Sequence, residues 1–316
     1  MRNNLHVFLG ATIADSASRP LHWVYNQKKL KSYIKNKKDF SFLKKNRSPF
    51  YNIKTGNVSG YNDVGQVMLR TLNKNLTNIE MNFKVNLKKH FGPGSKYWKN
   101  YKARSKYRGV KDWRGIIKGP WIHQNIVDTL NNLKKKKIVS GGNKVHESDG
   151  YCAALPYFLF FKSFRNIKNI ISIVCVSKIS IKYALAKLHL INFALNGSRD
   201  PVADFLKKNK KKSYFKDVIQ NIRKVKRLKS MPHPKAVQKL GVSCRYPGTF
   251  NSSIHSIITS KSYKSAILKT IRAGGCNCSR SNFVGAYFAA LKGKSCIPNN
   301  WINKCIHSKH ILKISS

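Results

Sequence analysis

A glycine pair followed at once by a helix of small residues constrains this chain more than any other stretch. It lies in residues 273–293, which read AGGCNCSRSNFVGAYFAALKG. Gly274 and Gly275 permit a tight turn that other residues resist, and from Ser281 onward the apolar residues recur at helical spacing. The turn brings a group of small polar side chains to the start of a helix, where unpaired backbone N–H groups face outward. These side chains belong to Cys276, Asn277, Cys278 and Ser279.

The remainder of the chain predicts an all-α fold. With 316 residues and a hydrophobic content of 41%, the chain can bury a substantial core. Helical periodicity recurs along its length, whereas only residues 170–176 resemble a strand. Residues 28–47 are basic and indicate a surface loop or a loose helix. No internal repeat or long linker divides the sequence, so we expect one domain over residues 1–316.

The charge of the chain is strongly positive. Lys and Arg number 62 against 11 Asp and Glu, which gives a formal net charge of +51. Clustered basic residues favour nucleic acid or an anionic surface as a partner. The lysines are nevertheless spread along the whole chain, which favours diffuse compositional bias and only nonspecific, charge-driven contact with nucleic acid.

Cysteine usage and the N-terminus predict where the protein works. The seven cysteines form no CxxC pair and no regular framework, which is typical of a reducing compartment. The apolar run at residues 6–14 is short and begins with His6, so we interpret it as part of a helix and not as a signal peptide. We therefore expect a cytoplasmic or nuclear protein with no membrane partner.

Three stretches resemble motifs of the ADP-ribosylglycohydrolase family. Residues 273–293 are similar to its C-terminal metal motif, in which Gly-Gly precedes Asp-x-Asp-Thr/Ser and a Gly/Ala-rich helix. Residues 10–23, GATIADSASRPLHW, resemble its first helix, and residues 60–68, GYNDVGQVM, resemble its Thr-Asp-Asp-Thr-Gln-Met motif. Shorter matches, among them GPWIH, SCRYPGTF and IPNNW, are similar to the branch that contains the J-crystallins and selenoprotein J. The resemblance implies a single-domain, orthogonal all-α bundle.

The resemblance also implies that most metal-ligand positions of the family carry other residues here. Asn62, Asp63 and Val64 stand at the Thr, the first Asp and the second Asp of the second motif. In the third motif, Cys276 and Cys278 replace both aspartates, and Ser279 stands at the hydroxyl residue. Magnesium requires hard oxygen ligands, which thiols and a valine do not supply. We therefore expect the di-magnesium site to be degraded and the magnesium to be lost.

The remaining candidates belong to the ligand pocket. His22 takes the place of the glutamate that the family has beside the substrate ribose, and an imidazole can act as a base near neutral pH. The resemblance gives Asp15 a structural role in the first helix. Gly274, Gly275 and Asn277 complete the pocket, whose expected ligand is an ADP-ribose-like small molecule.

Three functions follow from these assignments. The first is a structural or ligand-binding protein without ordinary glycohydrolase activity. The second is a hydrolase of ADP-ribosyl or related N- or O-glycosidic bonds with altered metal ligands. The third is a basic nucleic-acid-binding module. A change of metal is also open, because His22, Asp63, Cys276 and Cys278 would form a plausible zinc set if they converged.

Two further groups have alternative interpretations. Glu147 and Asp149 form an acid pair, or else Ser148 or Asp149 caps the helix that follows. Cys244, in SCRYPGTF, is either a reactive thiol or an inert structural cysteine.

Overall fold

The computed structural model describes residues 4–105 and 115–315, and this part of the chain is almost entirely helical. It contains seventeen α-helices and two strands of two residues each. The helices are Leu5–Ser18 (α1), Gln27–Ile34 (α2), Gly60–Lys74 (α3), Ile79–Phe91 (α4), Lys96–Ser105 (α5), Gln124–Lys134 (α6), Asp149–Phe161 (α7), Ile167–Val174 (α8), Lys178–Leu195 (α9), Pro201–Asn209 (α10), Lys216–Arg227 (α11), His233–Leu240 (α12), Gly248–Ile258 (α13), Tyr263–Arg272 (α14), Asn277–Lys292 (α15), Asn299–Lys304 (α16) and Ser308–Ser315 (α17). Strands Tyr51–Asn52 (β1) and Ile117–Lys118 (β2) pair in parallel. The all-α prediction is confirmed.

Helices α1 and α15 form the centre of the core. Both are buried along nearly their whole length, and they cross where Gly10 faces Gly285 and Ala289. A Cβ atom on Gly10 would lie 2.5 Å from the Cβ of Ala289, so the two backbones are in contact. The hydroxyl of Tyr263 also donates to the carbonyl of Gly10 at 2.7 Å. Small residues therefore fix the two helices that carry the first and third sequence motifs.

The glycine turn joins these helices at one end. Gly274 and Gly275 adopt φ values of +72° and +63°, and a Cβ on Gly275 would lie 2.3 Å from the carbonyl oxygen of Val242. The Trp23 amide donates to the Gly275 carbonyl, and the Gly275 amide donates to the Val24 carbonyl, both at 2.9 Å. The turn is thus tied to the chain that leaves α1.

Two sequence predictions need correction or refinement. Residues 170–176 do not form a strand but lie mostly in α8, whose buried isoleucines and valine recur at helical spacing. Asn62 and Asp63, of the second motif, lie in the first turn of α3. Residues 28–47 begin in α2 and continue as loop. None of the helices in the described ranges has both the length and the apolarity needed to cross a bilayer.

A buried lysine lies among aromatic rings in the core. Lys187 of α9 is fully buried, with its Nζ atom 4.7 Å from the ring centre of Tyr151, 4.9 Å from that of Tyr246 and 5.3 Å from that of Phe283. Its ammonium donates to the hydroxyl of Ser148 at 3.1 Å. Burial lowers the pKa of Lys187 to about 7.

The α1–α15 contact leads to a prediction about stability. A Cβ on Gly285 would lie 2.4 Å from the carbonyl oxygen of Gly10 and 2.5 Å from the Cβ of Ala14. Gly285→Ala should therefore lower the free energy of unfolding by about 1–3 kcal/mol, as overpacking does. Denaturant unfolding measures this change. On a helix without such contacts the same substitution stabilises by about 1 kcal/mol, so an unchanged or raised midpoint would contradict the contact.

Lys187 leads to a prediction about pH. In the unfolded chain its pKa returns to about 10.4, so the unfolded state binds more protons between pH 7 and pH 10, and stability from this group rises with pH in that window. Lys187→Met should therefore raise the free energy of unfolding at pH 7 by about 1–4 kcal/mol, the range found when buried charged groups are replaced by apolar residues. The advantage should shrink as the pH rises towards 10, because the folded-state amine is then neutral and the unfolded-state amine begins to lose its proton near its own pKa.

Urea unfolding of the two proteins between pH 6 and pH 10 tests this difference. Lys178→Met, at the exposed start of the same helix, is the matched control. A gain in stability that is equal at every pH, or equal in the control variant, would contradict the assignment.

Candidate functional site

The site begins with a contact between His22 and Cys276. The Nε2 atom of His22 lies 3.4 Å from the Cys276 sulfur, and its Nδ1 atom lies 2.8 Å from the hydroxyl of Tyr51. Burial raises the pKa of Tyr51, so its hydroxyl stays protonated and donates to Nδ1. This leaves the Nε2–H group to donate to the sulfur. Burial also lowers the pKa of His22, so the ring is neutral at pH 7.

The Cys276 sulfur lies close to further polar groups. Burial alone would raise its pKa, but the Cys244 thiol and hydrogen bonds from His22 and Ser279 outweigh burial and hold the pKa well below its ordinary value. The Ser279 hydroxyl lies 3.2 Å from the sulfur, and the Tyr61 hydroxyl lies 3.9 Å from it. The arrangement therefore stabilises a thiolate at the N-cap of α15.

Two carboxylates approach the same site from the start of α7. The Tyr61 hydroxyl donates to Glu147 at 2.8 Å, and Asp149 contacts His123 Nδ1 at 2.8 Å and accepts from Asn125 at 3.0 Å. Burial, followed by the charge of Asp149, raises the pKa of Glu147 to about 7.

The capping interpretation of this segment is wrong. Ser148 is the N-cap residue of α7, but its side chain makes no capping bond to the described backbone. Its hydroxyl contacts Lys187 and Tyr246 instead.

The sequence did not single out Tyr61 and His123 as site residues. The available signal was their place inside the GYNDVGQVM and GPWIH matches.

The remaining carboxylate of the second motif points to different partners. The Tyr97 hydroxyl donates to Asp63, and the His90 Nε2 atom lies 3.9 Å from the same carboxylate. Burial would raise the pKa of Asp63, but His90, His307 and Tyr97 lower it. The amide oxygen of Asn62 accepts from Gln66 at 3.0 Å. Both residues are therefore bound to other side chains of the protein.

Cys278 faces away from Cys276. Its sulfur lies 3.7 Å from the Asp15 carbonyl, and burial raises its pKa well above the ordinary value. The carboxylate of Asp15 accepts from the amide and the hydroxyl of Ser59, each at 2.6 Å, while burial raises its pKa to about 7. Asn277 donates to the Leu21 carbonyl at 3.2 Å. These residues hold α1, α3 and α15 together around the site.

The residues at the family metal positions do not fit a magnesium pair. The donor set offers sulfur at Cys276 and Cys278 and a buried aliphatic side chain at Val64, and the carboxylate of Asp63 is already bound. The four residues of the proposed zinc set do not converge either, because among them only His22 and Cys276 are in contact. Over residues 4–105 and 115–315, no group of three or more His, Cys, Asp or Glu side chains is placed to hold a metal ion.

Aromatic rings form a wall next to His22. Trp23 stacks on the His22 ring with centroids 4.2 Å apart and contacts Phe50, Tyr51 and Trp121 edge-on at 5.4–5.6 Å. The guanidinium of Arg104 lies 3.7 Å from the ring centre of Trp121. Phe50 and Trp121 are only half-buried, so this aromatic wall reaches the surface.

Comparison with known proteins places the chain in a family. The family model described as ADP-ribosylglycohydrolase matches residues 4–316. Crystallin J1A of Tripedalia cystophora is 29% identical over 320 residues, which cover 96% of this chain and 92% of the crystallin. Crystallin J1B of the same animal is 28% identical over 319 residues, or 98% and 93% of the two chains.

The fold agrees with these sequence matches. A solved structure titled "ADP-ribosylglycohydrolase-related protein complex" superposes with a TM-score of 0.60 at 11% identity, covering 99% of this chain and 96% of the other. Because the family model spans nearly the whole sequence, the match includes all three motifs and the site that they surround. The chain belongs to the ADP-ribosylglycohydrolase family.

Proposed function

We propose that this chain is a J-crystallin-like member of its family with a structural or ligand-binding role and without ordinary magnesium-dependent glycohydrolase activity. The observation that carries this proposal is the Cys276 sulfur, which stands where the family has a ligand aspartate and is hydrogen-bonded by His22 and Ser279. The similarity to two proteins named crystallins supports the structural role.

The proposal rests on the chemistry of the donor atoms. In the family reaction, metal ions orient the ribose, and a carboxylate activates the attacking water. Here the two sulfur atoms are soft donors, and Asp63 is bound by Tyr97. His22 stands at the position of the family glutamate with its Nε2–H directed at a sulfur, which leaves this nitrogen without a lone pair to accept a proton from water. Both halves of the ordinary mechanism are therefore absent from this constellation.

The aromatic wall supports a ligand of nucleotide type. Flat rings such as Trp121 and Phe50 bind planar bases by stacking, and the positive charge of Arg104 next to them suits a phosphate-bearing ligand. An ADP-ribose-like molecule combines a base with a diphosphate. Such a ligand would be held by stacking and charge, with no step that needs a metal ion.

The activity prediction concerns hydrolysis in magnesium buffer. The purified chain should release no ADP-ribose from ADP-ribosylated serine, ADP-ribosylated arginine or poly(ADP-ribose), because its donor atoms do not hold magnesium. Release is measured by chromatography, with an active member of the family as the positive control. In parallel, calorimetric titration with magnesium should show no saturable binding. A Cys276→Asp, Cys278→Asp double variant is the matched comparison, and it should bind magnesium more tightly than the unaltered chain.

The outcomes distinguish magnesium-dependent hydrolysis from hydrolysis that needs no metal ion. Turnover that a chelator abolishes and magnesium restores would overturn the proposal. Turnover that survives the chelator and is lost in Glu147→Gln would favour the alternative of a glycosidic-bond hydrolase. In that case Glu147, with its pKa of about 7, would act as the acid.

A further inference from the structure

A strongly basic surface covers the end of α10, the turn that follows it and α11. Residues 207–229, which we call the basic surface, contain eleven Lys and Arg against a single Asp, and all eleven basic residues are exposed. The one acidic residue, Asp217, lies 3.0 Å from the Nζ atom of Lys182 and is therefore already paired. Positive charge of this density repels itself and attracts polyanions, so the surface favours an anionic partner.

An aromatic pocket adjoins the basic surface. It has a volume of about 580 Å³ and lies between α8, α9 and the short 3₁₀ turn Ser213–Phe215. The rings of Phe164 and His189 stack there with centroids 4.2 Å apart, and Phe215 meets His189 edge-on at 5.7 Å. The volume is that of a pocket for a small planar molecule, and the rings suit a molecule that stacks.

Tyr214 connects the pocket with the basic surface. It lines the pocket and is 41% exposed, whereas its neighbour Phe215 is buried. The Nζ atom of Lys168 lies 5.5 Å from the centre of the Tyr214 ring, and Lys212 lines the same pocket. A planar base that stacks on Tyr214 would therefore bring its phosphate close to these two lysines.

Polar groups stand beside the rings. The side-chain amides of Asn166 and Asn169 line the pocket and supply hydrogen-bond donors and acceptors. Burial, followed by the charges of Lys212 and Lys208, lowers the pKa of His189 to about 4. The imidazole is thus neutral at pH 7 and adds one donor and one acceptor, which suits the edge of a neutral base.

We propose that the basic surface and its aromatic pocket form a binding site for single-stranded nucleic acid. The phosphates follow the exposed lysines and arginines, and one base enters the pocket and stacks on Tyr214. A duplex cannot use the pocket in this way, because its bases are already paired and stacked on one another. The site is built from α8 to α11, apart from His22 and Cys276, and it does not depend on the function proposed for those residues.

Fluorescence anisotropy with labelled strands tests the stacking. A thymidine strand of about 12 nucleotides should bind more tightly than an abasic strand with the same number of phosphates, since only the first can stack. A uridine strand should behave as the thymidine strand does, because stacking uses the base and not the sugar. Tyr214→Ala should weaken binding of both base-bearing strands about five- to a hundredfold, with little effect on the abasic strand. Tyr25→Ala, at a tyrosine that is 42% exposed, is the matched control and should bind as the unaltered chain does.

A charge variant tests the path of the phosphates. In the Lys208→Gln, Lys211→Gln, Lys212→Gln triple variant, the slope of log K against log salt concentration should become shallower by about 2, since each single-strand phosphate contributes about 0.7. The control is a triple variant that removes the same charge from exposed positions of α2, Lys28→Gln, Lys29→Gln, Lys31→Gln. It should keep the slope of the unaltered chain.

Photo-cross-linking locates the strand on the unaltered chain, whatever the variants do. A strand that carries iodouracil is irradiated with the protein, and trypsin then releases Tyr214 in the peptide SYFK. We expect the cross-link in this peptide. Cross-links confined to other peptides, equal loss of affinity in Tyr25→Ala, or equal affinity for the thymidine strand, the abasic strand and inorganic polyphosphate would overturn the proposal.

Discussion

Two backbone hydrogen bonds between the glycine turn and the end of the first motif determine the geometry of the site. They join Trp23 and Val24 to Gly275, and they require a left-handed backbone and no side chain at the turn. Because His22 precedes this contact and Cys276 follows it, the imidazole and the thiol must meet. The α1–α15 crossing at Gly10 and Gly285 is the second half of the same constraint, since it sets the two helices at backbone contact.

The Cys276 sulfur is surrounded by the protein's own hydrogen-bond donors and by a buried cation. Arg280 is buried behind the turn, where it donates to the carbonyls of Gly274 and Val242, and its charge favours the ionised form of Cys276. Neutral His22 supplies a donor in front of the sulfur. A thiolate enclosed in this way is stabilised by fixed dipoles and one buried cation. Its charge is therefore balanced by groups of the protein itself.

The sequence predicted the fold class, because helical periodicity is a local signal. The convergence of His22, Asp63, Cys276 and Cys278 was a conditional hypothesis, and of these four side chains only His22 and Cys276 are in contact. The sequence did not predict that Cys278 would turn away. Residues two positions apart at a helix start point in nearly opposite directions, and only the observed helix start at Asn277 fixes which one faces the site. Polar helices such as α4 were also missed, since only Phe83, Leu87 and Phe91 are buried along it. The contacts of Tyr61 with Glu147 and Cys276 join distant segments, and no local pattern records them.

The substitutions at the family metal positions share one electrostatic effect, which is to remove buried negative charge. Four carboxylates buried around a shared centre repel one another, and without a cation each would have to take up a proton or find a new partner. Val64, Cys276 and Cys278 remove three of these charges at positions that are completely buried. The fourth, Asp63, is retained where Tyr97 and His90 hold it. If the site does not bind magnesium, as we propose, the loss of these carboxylates removes charges that the buried interior would otherwise have to balance.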